Sequence, residues 1–230
     1  MRIFLLLALL AAPASAEQLR FDVGMHGVRA AQMVLNGDVS GGGYAVAGQV
    51  KGTGLVGAVV DIDYAAEARG AVAGGRLRSG AATLRDRMGD EQGTTAMQWS
   101  GGAPRVTQSP GFPREPYDID AAAQRGAVDP LTALYDLLRT QPRESLCNWT
   151  AATFDGRRAA RLSVGPPRDA GNGAVRCDAE YRRVAGYEPE EMAERTRYPF
   201  SVTYVPAGNA MAAAEMRAAT KYGDAVIRRR

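Results

Sequence analysis

Cys147 and Cys177 are the only cysteines in this 230-residue chain. In an oxidising compartment an isolated pair of cysteines normally forms a disulfide. A redox pair would be spaced C-x-x-C, and a metal site would need more Cys or His than the single histidine, His26, can add. The sequence therefore predicts a structural disulfide between Cys147 and Cys177 and no metal site.

Two other motifs match known chemistry only in part. Residues 52–57 read G-x-G-x-x-G, but a dinucleotide site needs a helix that opens on the third glycine. Here a strand pattern follows instead. His26 has no Ser, Cys or second His at a spacing typical of a catalytic triad. We expect no nucleotide cofactor and no triad.

Two pairs of carboxylates could support acid–base chemistry, since each pair shares one side of an extended segment. They are Asp61 with Asp63, and Asp118 with Asp120. Acids that point into solvent from a half-exposed sheet are much more common than catalytic pairs. We therefore predict no catalytic residue, and we interpret Arg228, Arg229 and Arg230 as a frayed, solvated tail.

The first sixteen residues have the pattern of a secretory leader. Arg2 is followed by a short apolar run, and Ala14-Ser15-Ala16 matches the small-x-small pattern of a cleavage site. The run is too short to span a bilayer. We expect cleavage after Ala16, a periplasmic, soluble product without a transmembrane segment, and one β-rich domain over residues 17–230.

The formal net charge of +3 is too small to indicate a nucleic-acid partner. Large aliphatic residues are sparse, but they are strongly patterned. Period-2 alternation covers Leu19 to Met25, Val28 to Val34, Tyr44 to Val50 and Val56 to Tyr64, with glycine-rich turns between the runs. This pattern predicts a long antiparallel meander through about residue 109, followed by a proline-rich crossing.

One segment changes to a helical period. Asp129 is a good N-cap and Pro130 suits the first turn, after which Leu131, Leu134, Tyr135 and Leu138 form an apolar stripe. Strand patterns return from residue 146 to the end, with Asp155-Gly156 as a hairpin turn. We predict a mainly β fold: a single curved antiparallel sheet, an open or half barrel, that wraps one short helix.

Three motifs in the chain resemble a family of exported bacterial proteins. They are the run from Asp129 to Tyr135, the segment Phe154 to Arg158, and Cys177 followed by the run Tyr181 to Tyr187. With them the chain looks like domain-of-unknown-function family 3108 (DUF3108). The resemblance implies an open sheet around a helix, similar to periplasmic lipoprotein carriers, and it supplies no catalytic residue.

A wide sheet with one apolar face has more concave surface than one short helix can fill. We therefore expect a non-catalytic envelope protein that holds a lipid chain, a lipoprotein or another apolar ligand in a groove. The candidate lining residues are Phe21, Val46, Val60, Ile62, Tyr64, Trp99, Leu131, Leu134, Tyr135, Leu138, Phe200 and Tyr204. A scaffold that binds envelope proteins along a sheet edge is one alternative, and a periplasmic hydrolase is another. The side chains could also simply pack against one another.

Overall fold

A computed structural model describes residues 16–25, 27–53, 62–88, 91–108, 114–220 and 223–230. Within these ranges, thirteen antiparallel strands form one unclosed sheet, which confirms the predicted fold class. The strands are β1 Glu17–Met25, β2 Val28–Ser40, β3 Gly43–Gly52, β4 Ile62–Ala73, β5 Arg76–Met88, β6 Glu91–Ser100, β7 Ala103–Gln108, β8 Trp149–Phe154, β9 Ala159–Asp169, β10 Val175–Ala185, β11 Arg197–Ala207, β12 Ala210–Thr220 and β13 Gly223–Arg229. The helices are α1 Pro130–Leu138 and α2 Pro189–Glu194.

Two meanders make up the sheet. The first meander consists of β1 to β7 and the second of β8 to β13, and the last strand, β13, joins them. The spatial order is β7-β6-β5-β4-β3-β2-β1-β13-β12-β11-β10-β9-β8. The strand β13 pairs with β1 on one side and with β12 on the other. The predicted frayed tail was therefore wrong. Arg228 binds Glu215, Arg229 lies 3.5 Å from Glu17, and Arg230 binds Asp22.

The inner face of the sheet follows the alternation of apolar residues in most strands. Leu19 and Phe21 of β1 are fully buried. In β2 the predicted alternation, which starts at Val28, was wrong, because Val28 is 56% exposed. The opposite phase, which contains Met33 and Leu35, is buried. The pairing Leu19↔Leu35 with β1 fixes this register.

Helix α1 lies inside the curve of the sheet. It contacts β3, β4 and β5 of the first meander and β8 and β12 of the second, so the sheet surrounds it from both sides. Asp129 caps it, accepting the Thr132 backbone N–H, and Pro130 occupies the first turn as predicted. The predicted one-sided stripe was incomplete. Thr132 and Asp136 are buried too, whereas Leu134 of the stripe is only half-buried.

The segment 114–128 connects the two edges of the sheet. Its Gly126 N–H donates to Gly102 O in the β6–β7 turn, and its Val128 N–H donates to Ala152 O of the edge strand β8. Phe154 N–H of β8 donates back to Val128 O. This crossing segment therefore supplies hydrogen bonds to an edge that would otherwise be open.

The predicted disulfide between Cys147 and Cys177 is present, with a Cα–Cα distance of 5.8 Å. It ties the chain just before the edge strand β8 to β10, with β9 between them. The helix α2, which the sequence did not predict, has six residues and begins with a capping box between Glu188 and Glu191. No helix in the described ranges is long and apolar enough to cross a membrane.

Candidate functional site

An apolar groove separates one side of α1 from the inner face of the second meander. Its volume is about 330 Å³, at the lower end of the range of ~300–1,000 Å³ that is typical of small-molecule sites. Leu134 and Leu137 of α1 form one wall. The facing wall comes from strands β8 to β13, and its larger side chains are Leu162, Phe200, Met216, Ile227, Tyr181 and Tyr198.

Small side chains beside Phe200 create the space. Phe200 pairs across the sheet with Ala179 on one side and with Ala218 on the other, and Ala218 pairs with Ala225. On the inner face this row therefore has one large side chain and three methyl groups. The neighbouring row is filled by Val202, which is fully buried, and by Met216 and Ile227. The depth of the groove follows from this alternation of filled and unfilled rows.

The opposite side of α1 is held by a buried polar network. The Asp129 carboxylate accepts hydrogen bonds from Ser79 Oγ of β5 and from Thr132 Oγ1, each at 2.5 Å. Tyr44 of β3 shares a 2.5 Å hydrogen bond with Thr132 Oγ1. Burial, with the nearby Asp129, raises the pKa of Tyr44 to about 12, so its hydroxyl stays protonated. These contacts join the N-terminus of α1 to the first meander.

The C-terminal end of α1 is fixed in the same way. Asp136 lies 2.9 Å from Arg139 Nε and 3.5 Å from Arg76 Nη1, and it also accepts the Leu77 N–H. Just after the helix, the Glu17 carboxylate accepts from the Thr140 N–H and hydroxyl. Because both ends are bonded, the helix cannot move away from the first meander without breaking buried polar contacts. The groove on its other side is therefore preformed.

The candidate groove residues fall into four groups. Leu134 and Phe200 line the groove. The side chains that pack in the core instead, around α1, are Phe21, Val46, Leu131, Tyr135, Leu138 and Tyr204. These side chains do not line the groove because they are buried between α1 and the sheet. Trp99 is partly buried and donates from Nε1 to Ala127 O, and Tyr64 is half-buried on β4. Val60 and the Ile62 side chain lie outside the described residues.

Sequence reasoning missed Tyr181, Tyr198, Ala218 and Ala225. Cross-strand register, which the sequence alone did not give, decides that these residues face α1. Two alternations were available as signals. Tyr181 alternates with Val175, Cys177 and Ala179 on β10, and Tyr198 alternates with Phe200 and Val202 on β11.

Tyrosine and arginine side chains pack together at one end of the groove. The Tyr181 and Tyr198 rings lie 6.2 Å apart, and the Tyr181 and Tyr187 hydroxyls share a 2.8 Å hydrogen bond. The Arg183 guanidinium lies over both the Tyr187 ring, at 5.0 Å, and the Tyr198 ring, at 5.2 Å. We call Tyr181, Tyr187, Tyr198 and Arg183 the aromatic collar. Burial raises the pKa of both Tyr181 and Tyr187, which keeps these two hydroxyls neutral.

Of two partly buried carboxylates, Asp155 lies near the aromatic collar and Asp86 lies near Asp155. Burial raises the pKa of Asp155, although its carboxylate accepts the backbone N–H groups of Arg157 and Arg158. Burial, with repulsion from Asp155, also raises the pKa of Asp86. The two acids favour the protonated form more than exposed carboxylates do.

No family model, curated protein or solved structure matches this chain.

The sequence motifs that suggested chemistry do not come together in one site of the described structure. His26, Asp61 and residues 54–57 of the glycine motif lie outside the described residues. Asp63 pairs with Lys51 at 3.8 Å, in agreement with a solvated acid on a sheet. The solvated interpretation was wrong for Asp118, which is almost fully buried and bonds Arg157 Nε at 3.0 Å. Asp120 caps a 3-10 turn at 121–123. Over the described ranges, no group of three His, Cys, Asp or Glu side chains could hold a metal ion.

Proposed function

We propose that this protein is a non-catalytic carrier of the cell envelope that holds an apolar chain between α1 and the second meander. The observation that carries the proposal is the groove itself: an almost entirely apolar space of about 330 Å³ next to a helix whose other side is locked by polar bonds. A preformed apolar cavity binds apolar ligands without the cost of opening the core.

Location in the periplasm is part of the proposal. The leader pattern of residues 1–16 supports export, and the Cys147–Cys177 disulfide suits an oxidising compartment. The resemblance to DUF3108 remains part of the proposal as well. The unclosed antiparallel sheet around one central helix is the architecture that this resemblance implies.

The scaffold alternative needs a free sheet edge. One edge strand, β8, already bonds Val128 of the crossing segment, which leaves β7 as the edge that a partner strand could extend. Pro104 lies in β7 and lacks an N–H to donate, so this edge is a poor template for added strands. The groove therefore supports the carrier hypothesis more strongly than the edges support the scaffold.

Filling the groove tests the proposal. The substitution Ala218→Phe places a ring in the space beside Phe200, so we expect it to weaken binding of the neutral probe N-phenyl-1-naphthylamine roughly tenfold or more. Ala219→Phe is the matched control, because Ala219 is the exposed next residue on the same strand. Fluorescence titration of the probe measures both variants and the wild type.

Natively purified protein provides a second measurement. Solvent extraction followed by mass spectrometry should recover a lipid from the wild type and much less from the Ala218→Phe variant. Equal recovery from Ala218→Phe and Ala219→Phe would contradict the groove as the binding site. An empty extract, with no probe binding by the wild type, would refute the carrier function.

A further inference from the structure

The aromatic collar closes the groove at one end with side chains that carry charge. Tyr198 lines the groove, and the Arg195 guanidinium lies 4.8 Å from the centre of its ring. The Arg158 guanidinium lies 5.3 Å from the centre of the Tyr187 ring. An apolar chain that leaves the groove past Tyr198 and Tyr181 therefore meets guanidinium groups that stack on aromatic rings.

The arginines at this end differ in how their charge is compensated. Arg183 binds the Glu191 carboxylate at 2.9 Å, and Arg217, at the groove wall, binds Glu215 and Asp224. Arg195 donates from Nε to the Arg197 carbonyl, and within the described residues it makes no ion pair. In that part of the chain Arg158 makes no ion pair within 4.0 Å either, but Asp155 accepts its backbone N–H and lies close enough to interact with its charge.

The acidic residues of α2 and its N-cap compensate part of this positive charge. Glu188 and Glu191 bond each other's backbone in the capping box, and Glu191 also neutralises Arg183. Glu190 and Glu194 are exposed. Among the described residues, Arg195 is therefore the guanidinium that stacks on a collar ring without an ion pair, whereas Arg158, which stacks on Tyr187, has the Asp155 carboxylate nearby.

The size of the groove limits the apolar part of a ligand. Benzene fits an engineered cavity of about 150 Å³, and the groove has about twice that volume, 330 Å³. On this scale it holds roughly twelve carbon atoms, which suits one medium-length chain and not the two chains of a phospholipid.

We propose that the groove binds a medium-chain fatty carboxylate, with its alkyl chain against Phe200 and Leu134 and its headgroup on Arg195 at the aromatic collar. A guanidinium binds a carboxylate through two parallel N–H···O bonds, which gives the headgroup a preferred orientation. Arg158 adds positive charge at the Tyr187 ring, where the nearby Asp155 offsets part of it. This inference rests on the carrier function, since it names the ligand class of the same groove.

Two probes with the same twelve-carbon chain separate the headgroup from the chain. Isothermal titration at pH 8 compares sodium dodecanoate with monododecanoylglycerol, which is neutral. We expect the wild type to bind dodecanoate roughly tenfold more tightly. Arg195→Gln should remove this preference and leave the affinity for monododecanoylglycerol unchanged.

Arg182→Gln is the matched control, because Arg182 lies on the opposite face of β10 from Arg183 and is exposed. It removes the same charge from the protein without touching the collar, so the preference for dodecanoate should persist. Thermal melts of both variants establish that they fold.

The outcomes distinguish the two proposals. Equal binding of the two probes by the wild type, or an unchanged preference in Arg195→Gln, would overturn the carboxylate site and leave the groove as a binder of neutral chains. Binding of neither probe would refute the carrier function together with this inference.

Discussion

Removing the Cys147–Cys177 disulfide should destabilise the fold strongly, because it closes a loop of 30 residues. In the chain-entropy model a loop of this length stabilises the native state by roughly 3.5 kcal/mol. For a domain of this size, that loss lowers the melting temperature by about 7–14 °C. The double variant Cys147→Ala/Cys177→Ala avoids leaving a buried free thiol or hydroxyl.

The measurement is calorimetry of the wild type and the double variant, each with and without a reductant. The reductant should lower the melting temperature of the wild type toward that of the variant and leave the variant unchanged. Hydrogen exchange should rise most in β8, because the disulfide anchors the chain immediately before this edge strand. Identical melting of oxidised wild type and variant would refute the reasoning, as would two free thiols in the mass spectrum of unreduced protein.

Two further predictions concern the interior. Gly37→Ala places a Cβ against the Tyr135 ring, so we expect the free energy of unfolding in urea to fall by about 1–3 kcal/mol. The second change Tyr135→Leu removes the ring and should partly restore this stability. Losses that simply add in the double variant would contradict the contact. Burial raises the pKa of Asp86, Asp129 and Asp155 above the ordinary 3.8, so the folded state holds protons that the unfolded state releases. Their contribution to stability is therefore complete below pH 3.8 and is lost as the pH rises through the raised values. The amide oxygen of Asp155→Asn can still accept the backbone N–H groups, but the side chain no longer titrates. Urea titrations at several pH values should therefore show that this variant loses less stability than the wild type as the pH rises. An unchanged pH dependence would contradict this assignment.

Local patterns in the sequence predicted most of the architecture. The N-cap Asp129 with Pro130, the turn at Asp155-Gly156 and the alternation of Leu19 to Met25 each depend on neighbouring residues only. The disulfide followed from composition, since the chain has no other cysteine for either partner. These features are local or combinatorial, and a single sequence contains enough information to predict them.

The features that failed depend on contacts between distant residues. The phase of β2 is decided by its partners in β1 and β3, and Val28 and Met33 are both acceptable to the local pattern. The run of three arginines from Arg228 is typical of a solvated tail, yet its strand, β13, pairs with β1 on one side and with β12 on the other. The groove depends on Ala218 and Ala225 lying in one row with Phe200, and such a row exists only once cross-strand register is fixed.

The position of β13 between β1 and β12 has a consequence for how the chain folds. Consecutive strands of each meander can pair as soon as they are made, because their partners are close in sequence. The junction is different: Arg230 bonds Asp22, 208 positions earlier. Until that contact forms, β1 and the end of β12 present open edges that can pair with other chains. We expect the joining of the two meanders to be the slow step of folding, and chains interrupted before β13 to be the species that aggregate.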